Sequence, residues 1–81
     1  MQWKDEPEVA TKLDVHHVAH LYGDRGELLG CVVSYDEAPH IWHGDSVYGH
    51  AGAHIGLDRA KRSVMAHLGR TLWADNICGN A

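Results

Sequence analysis

The sequence predicts an α+β domain, a three- to four-stranded antiparallel sheet with one helix packed on one face. Two observations predict it. Two apolar stretches, residues 15–22 and 28–35, flank a five-residue segment with two glycines, which is typical of a β-hairpin. Residues 57–68 then repeat apolar side chains at helical spacing. Because 81 residues supply material for one hydrophobic core only, we expect a single domain over residues 1–81.

Residues 1–14 are mostly polar, and they predict either a loose arm or a short helix that opens at Pro7. The sheet is expected over residues 15–56 and begins with the hairpin. In the favoured register, Tyr22 faces Leu28, Leu21 faces Leu29, Ala19 faces Cys31 and His17 faces Val33. This register buries the apolar side chains of both strands on one face, with Cys31 among them as a small hydrophobe. The outer face would then carry His16, Val18, His20, Tyr22, Leu28, Val32 and Ser34.

The rest of the sheet is predicted from shorter signals. Residues 36–39 have the composition of a loop, and residues 41–43 and 47–48 are short apolar pieces separated by a polar segment. We interpret the two pieces as a second hairpin with its turn at residues 44–46. The glycine-rich segment 49–56 is expected to be a loop that leads to the helix.

The one predicted helix spans residues 57–69. Asp58 suits its first turn, where a carboxylate interacts favourably with the helix dipole. Gly69 is the residue at which the helix should end, so that residues 70–81 are predicted as a tail. The apolar positions of the helix are Leu57, Ala60, Val64 and Leu68. The apolar residues of the tail, which could pack back on the sheet, are Leu72, Trp73 and Ile77.

The charge distribution favours a protein partner over nucleic acid. The net charge is −4, and residues 1–45 hold nine acidic and three basic side chains, whereas residues 46–81 hold two acidic and four basic ones. An acidic half repels phosphates and attracts basic protein surfaces. The N-terminus is charged and no apolar run approaches the ~18 residues of a membrane span. We therefore expect a cytoplasmic protein without a membrane segment, in which Cys31 and Cys78 are free thiols.

The residues that could carry catalysis do not form a recognisable set. Ser46 lies near His43 in sequence, but no acid is placed to orient the imidazole and no oxyanion hole is evident. The segment 49–54 lacks the lysine of a phosphate-binding loop. We therefore expect no enzymatic activity and no cofactor, and binding of another macromolecule is the favoured role. A small enzyme and a self-assembling structural subunit are the further alternatives.

Eight histidines are unusual for a chain of this length. Zinc requires three or four imidazole or thiolate ligands that converge on the ion. His50 and His54 have a suitable spacing if they lie on a helix, although the glycines around them favour a loop. The alternative to a protein-binding module is therefore a histidine-rich, zinc-binding domain that uses His50 and His54.

All six aromatic residues are Trp or Tyr, side chains that are enriched at the energetic centres of protein interfaces. A domain this small also needs part of them for its core. We expect Trp42 to lie in the core, and Trp3, Tyr22 and Tyr48 to face a partner.

The hairpin LYGDRGELLG (residues 21–30) and the helix GLDRAKRSVMAHLG (residues 56–69) resemble in organisation the small phage-encoded anti-CRISPR proteins. Several of these are similar to the chain in size and acidity. The resemblance covers residues 15–68, is architectural, and carries over no functional residue. It implies an inhibitor in the cytoplasm of a host bacterial cell that binds a basic surface of a type I CRISPR effector complex and excludes target DNA. The acidic residues that would attract this surface are Asp24, Glu27, Asp36, Glu37 and Asp45, with Tyr22 and Tyr48 as anchors.

Overall fold

A computed structural model describes the backbone of residues 1–79 and the side chains of residues 1–69. Its elements are β1 (Gln2–Asp5), α1 (Pro7–Leu13), β2 (His17–Tyr22), β3 (Leu28–Tyr35), β4 (Ala38–Ser46), β5 (Gly49–Ile55) and α2 (Leu57–Gly79). The strands form one antiparallel sheet in the order β1-β2-β3-β4-β5. Helix α2 packs across β3, β4 and β5 on one face, which we call the helix face, and α1 packs against β2.

The predicted α+β class is confirmed, but the sheet has five strands instead of three or four and is accompanied by two helices. The N-terminal segment forms a short helix, one of its two predicted forms, and also a strand, because Gln2–Asp5 pairs with the outer edge of β2. At the other edge, the segment predicted as a loop is strand β5. Two of its glycines, Gly49 and Gly52, have φ angles of 133° and 119°, which only glycine adopts readily. Pairing with β4 on one side and packing of α2 hold this low-propensity strand in the sheet.

The predicted register of the first hairpin is wrong beyond its first pair. Tyr22 does face Leu28, but a β-bulge follows, so that Leu21 pairs with Gly30, Ala19 with Val32 and His17 with Ser34. Leu29 is the extra residue. The bulge turns Val32 and Ser34 to the helix face, where both are fully buried, and turns Cys31 to the opposite face. Val18, expected on an exposed outer face, is also buried.

The bulge allows α2 to pack closely on the sheet, because it places Gly30 on the helix face directly under Val64. A Cβ atom built on Gly30 would lie 2.6 Å from Val64 Cγ1, and one built on Gly44 would lie 2.8 Å from Val64 Cγ2. Two neighbouring strands therefore present glycine under the same helix residue, and Val64 becomes fully buried. The prediction that residues 44–46 form a turn is also wrong, because Gly44 belongs to β4 and lies under Val64 of α2. β4 continues through them, and the turn lies at Val47 and Tyr48.

The hydrophobic core lies between the helix face and α2. Its buried members are Ala19, Leu21, Val32, Trp42, Ala60, Val64 and Leu68, which confirms Trp42 as a core residue. Trp3, predicted to face a partner, is half-buried on the helix face and packs against this core, with Lys61 Nζ 5.4 Å from its ring centroid. Helix α2 does not end at Gly69 but continues to Gly79. The predicted packing of Leu72, Trp73 and Ile77 lies outside the described side chains.

Candidate protein-binding surface

The sheet face opposite α2 is not covered by a helix over β3, β4 and β5 in the part of the chain that the structure describes. Side chains alternate between the two faces along a strand, and paired residues share a face. Trp42 lies under α2, so its neighbours Ile41 and His43 point away from the helix. The residues on their side define the open face: Leu28, Cys31, Val33, Tyr35, Ile41, His43, Asp45, His50, Ala53 and Ile55.

The open face is apolar and accessible. Leu28, Tyr35, Ile41 and Ile55 expose 49%, 45%, 39% and 73% of their surface. Asp45 is the one carboxylate among the open-face residues, and no lysine or arginine belongs to them. Tyr35, Ile41 and Ile55 lie near the β3–β4 turn and Leu28 lies at the other end of the face. Exposed apolar side chains that share one surface are typical of interaction sites. Depletion of charge is also typical of the centre of a protein interface.

A row of ionisable side chains crosses the open face near the β4–β5 turn. The strand pairing places His20 beside Cys31, Cys31 beside Asp45, and Asp45 beside His50. His50 Nδ1 donates a hydrogen bond of 3.0 Å to Asp45 Oδ1. Asp45 is thereby held in place with its negative charge next to the Cys31 thiol.

Cys31 lies in a shallow, mainly apolar pocket of about 240 Å³ on this face. Burial raises the pKa of the Cys31 thiol, and the negative charge of Asp45 raises it further. A thiol with a raised pKa holds little thiolate at neutral pH and reacts slowly. Cys31 is thus half-buried on the open face. The predicted register, which placed it among the buried side chains of the core, is wrong on this point.

We expect Asp45→Asn to accelerate alkylation of Cys31, because removing the carboxylate lowers the thiol pKa and increases the thiolate fraction. In a Cys78→Ser background, the iodoacetamide rate at pH 7.5 should rise about two- to fivefold, since one pKa unit changes the thiolate fraction about tenfold. Mass spectrometry over pH 7–10 should show the midpoint moving to lower pH. Asp24→Asn, with the same charge change outside the open face, is the matched control. Equal rates in all three proteins would contradict this electrostatic coupling.

The sequence-predicted partner-binding residues divide between the two ends of the strands. Asp24 and Glu27 lie in the β2–β3 loop, and Tyr48 lies in the β4–β5 turn at the same end of the sheet. Asp36 and Glu37 form the β3–β4 turn at the opposite end. The eight residues of β3 separate these ends by about 23 Å at ~3.3 Å per residue. The two groups therefore do not form one cluster but lie at either end of the open face.

Two of these residues have specific contacts. The Tyr22 hydroxyl donates a hydrogen bond of 2.9 Å to Glu6 Oε1, and this bond raises the pKa of Tyr22. The Tyr22 oxygen is then free to accept the Nδ1 proton of His20 at 3.3 Å. Asp24 pairs with the amino group of Met1 at 3.0 Å. Tyr22 is consequently hydrogen-bonded to Glu6, the residue before α1, and to His20. Tyr48, by contrast, keeps 47% of its surface exposed.

His50 and His54, the candidate zinc pair, lie on opposite faces of the sheet. A β-bulge between Gly44 and Asp45 places His54 opposite Trp42 on the helix face and His50 opposite Asp45 on the open face. The described residues contain no group of three or more His, Cys, Asp or Glu side chains arranged to hold a metal ion. His50 and His54, which were chosen as zinc ligands from their spacing in the sequence, therefore do not converge on one site.

Ser46 contacts a histidine, but not the one near it in sequence. Its Oγ lies 2.7 Å from His67 Nδ1 on α2 and accepts a hydrogen bond of 3.1 Å from the Tyr48 amide. No carboxylate contacts His67 among the described hydrogen bonds and ion pairs. The pair joins the β4–β5 turn to α2.

A second concave site, the α1–β2 cleft, lies where β1 ends and α1 crosses the outer edge of β2. It has a volume of about 380 Å³ and is lined by Asp5, Pro7, Ala10, Thr11, Val15, His16, His17 and Val18. His17 Nε2 donates a hydrogen bond of 3.1 Å to Asp5 Oδ1. His16 Nδ1 lies 3.6 Å from Asp36 Oδ1, which brings the β3–β4 turn to this end of the cleft.

Sequence reasoning did not identify the open face or the α1–β2 cleft. The alternation of Ile41, Trp42 and His43 could have indicated two faces for β4, but only with β5 recognised as its partner strand. The cleft requires β1 to pair with β2, and Trp3 is the one strand-favouring residue among Gln2–Asp5, which is too short a signal to predict a strand.

No helix in the described part of the chain is both long and apolar enough to cross a membrane. No protein-family model, curated protein or solved structure matches the chain.

Proposed function

We propose that this chain is a protein-binding module that docks its open face on a basic surface of a partner. The observation that carries the proposal is the open face itself, where Leu28, Tyr35, Ile41 and Ile55 are exposed and Asp45 is the single carboxylate. Apolar side chains at the centre of an interface supply most of the affinity, and charges at the rim supply steering. The acidic residues at both ends of β3 fit the role of such a rim.

The partner that we propose is a type I CRISPR effector complex, and the activity is inhibition of its target-DNA binding. This choice rests on the resemblance of the hairpin and helix to anti-CRISPR proteins. It is compatible with the acidic rim, because an effector surface that binds DNA must be basic. The chain would act stoichiometrically, by occupying that surface.

The test is size-exclusion co-elution with a purified type I effector complex, with and without its target DNA. Co-elution that excess target DNA abolishes supports a blocker of the DNA site. The double variant Ile41→Lys/Ile55→Lys should weaken binding at least ~10-fold, because two exposed anchors are lost and two like charges are added. Met65→Lys is the control for replacing an exposed apolar side chain by lysine outside the open face, since Met65 is 42% exposed but belongs to α2.

Charge reversal of the β3–β4 turn tests the rim separately. Asp36→Lys/Glu37→Lys should slow association and flatten its salt dependence, with a smaller effect on dissociation. Failure to co-elute with several type I complexes would overturn the effector as partner. Binding that Ile41→Lys/Ile55→Lys leaves intact would overturn the open face as the docking surface.

A further inference from the structure

We infer that the α1–β2 cleft is a binding site for an arginine side chain of a protein partner. The inference extends the proposed function, from which it takes only the basic character of the partner. The cleft combines three features that a guanidinium on an aliphatic stem requires: an apolar floor, a fixed carboxylate, and no competing lysine or arginine in its lining.

The floor of the cleft suits an aliphatic stem. Pro7 and Val15 line the cleft with accessible apolar surface, and Ala10 and Val18, which are 6% and 1% exposed, form the packed layer beneath it. Arginine buries its methylene groups along such surfaces while its charged end stays near polar groups. A volume of about 380 Å³ lies within the usual range for small-ligand sites.

The carboxylate of Asp5 suits the guanidinium. His17 Nε2 donates to Oδ1 at 3.1 Å, which fixes the carboxylate and leaves acceptor capacity on both oxygens. Arginine can bind a carboxylate through two parallel hydrogen bonds, a geometry that lysine cannot reproduce. Asp36, whose Oδ1 lies 3.6 Å from His16 Nδ1, adds a second negative charge near the cleft.

Other ligand classes fit less well. An anion would meet Asp5, and no lysine or arginine in the lining offsets that repulsion. A metal ion would need a group of three ligands, which the described residues do not form. An arginine also agrees with the excess of acidic side chains in residues 1–45.

The experiment titrates the ¹⁵N-labelled protein with acetyl-Gly-Arg-Gly-amide and follows amide shifts by NMR. The lysine peptide and the citrulline peptide, which has the shape of arginine without its charge, are the ligand controls. We expect saturable shifts confined to residues 5–18 and 34–37, with arginine binding at least fivefold tighter than lysine and citrulline inactive. Equal binding of arginine and lysine, or shifts spread over the whole acidic surface, would overturn the inference.

Two variants locate the site. Asp5→Asn should weaken arginine binding at least fivefold, whereas Asp24→Asn, with the same charge change at the other end of the sheet, should not. Thr11→Phe adds bulk in the cleft without changing charge and should also abolish binding. An unchanged affinity in Asp5→Asn or Thr11→Phe would exclude the cleft. Because no effector complex is present, this result is independent of the co-elution test: either proposal can fail while the other stands.

Discussion

Gly44→Ala is expected to lower the free energy of unfolding by about 1–3 kcal/mol, the usual cost of adding a methyl group to a packed core. The new Cβ would lie 2.8 Å from Val64 Cγ2, and the next nearest atom is the Ala60 carbonyl oxygen at 3.4 Å. The main overlap is therefore with one side chain. Urea unfolding followed by circular dichroism measures the loss.

Val64→Ala should partly rescue Gly44→Ala. Alone, Val64→Ala leaves a cavity over Gly30 and Gly44 and should cost about 2–3 kcal/mol. In the double variant the methyl of residue 44 occupies part of that space, so the double loss should be smaller than the sum by roughly 1 kcal/mol or more. Additive losses would show that Val64 does not rest on Gly44.

Two other glycines provide the controls for this cycle. Gly30→Ala should not be rescued by Val64→Ala, because its Cβ would also lie 2.7 Å from the Asp45 carbonyl oxygen, which cannot move aside. Gly69→Ala lies in α2, and a Cβ there meets no atom within 4 Å. It should stabilise the protein by up to about 1 kcal/mol, through helix propensity alone. Similar losses at all three positions would point to a general intolerance of alanine.

The parts of the fold that could be predicted from the sequence are those with a strong local pattern. The 57–68 helix repeat, the first hairpin and the burial of Trp42 follow from side-chain periodicity and turn composition. The predicted register was wrong because a glycine contributes nothing to a hydrophobic pattern. Gly30 is nevertheless the residue that lets α2 place Val64 close to the sheet. The prediction that the helix ends at Gly69 was wrong because a glycine ends a helix where it adopts a left-handed backbone conformation, and α2 continues through Gly69.

The candidate surfaces were harder to predict because they depend on which strands pair. β1 and β5 depend on pairing with neighbouring strands, and only Trp3 and Ala51 of these strands pack against the core, so neither strand has a local sequence pattern that predicts it. Without β5, Ile41 and Ile55 have no shared face. Without β1, Asp5 has no reason to lie beside His17. The predicted acidic residues were recognised by charge alone, which cannot assign them to opposite ends of one sheet.

Trp42→Ala is expected to have the largest effect on stability, a loss of about 3–5 kcal/mol. Trp42 is 8% exposed at the centre of the helix face, and the His17 ring packs edge-on against it with centroids 5.1 Å apart. At ~0.05–0.15 kcal/mol per residue, a chain of this length has roughly 4–12 kcal/mol in total. The variant should therefore be largely unfolded, or unfold at a much lower urea concentration.

Trp42→Phe is the matched variant, since it keeps an aromatic ring against His17, and it should lose less than half as much. Far-UV circular dichroism is the appropriate signal, because fluorescence would change with the loss of an indole. A wild-type unfolding midpoint in Trp42→Ala would contradict the core assignment.

Substitutions of Trp42 and of its neighbour on β4, Ile41, distinguish an effect on stability from an effect on binding. Ile41 points to the open face, so Ile41→Lys should leave the free energy of unfolding, measured by urea unfolding, within about 0.5 kcal/mol of the wild-type value. Under the proposed function, the same substitution weakens partner binding. Trp42→Ala should weaken both, because the open face exists only while β4 is held under α2. A loss of binding in Ile41→Lys without loss of stability would therefore assign the effect to the open face itself.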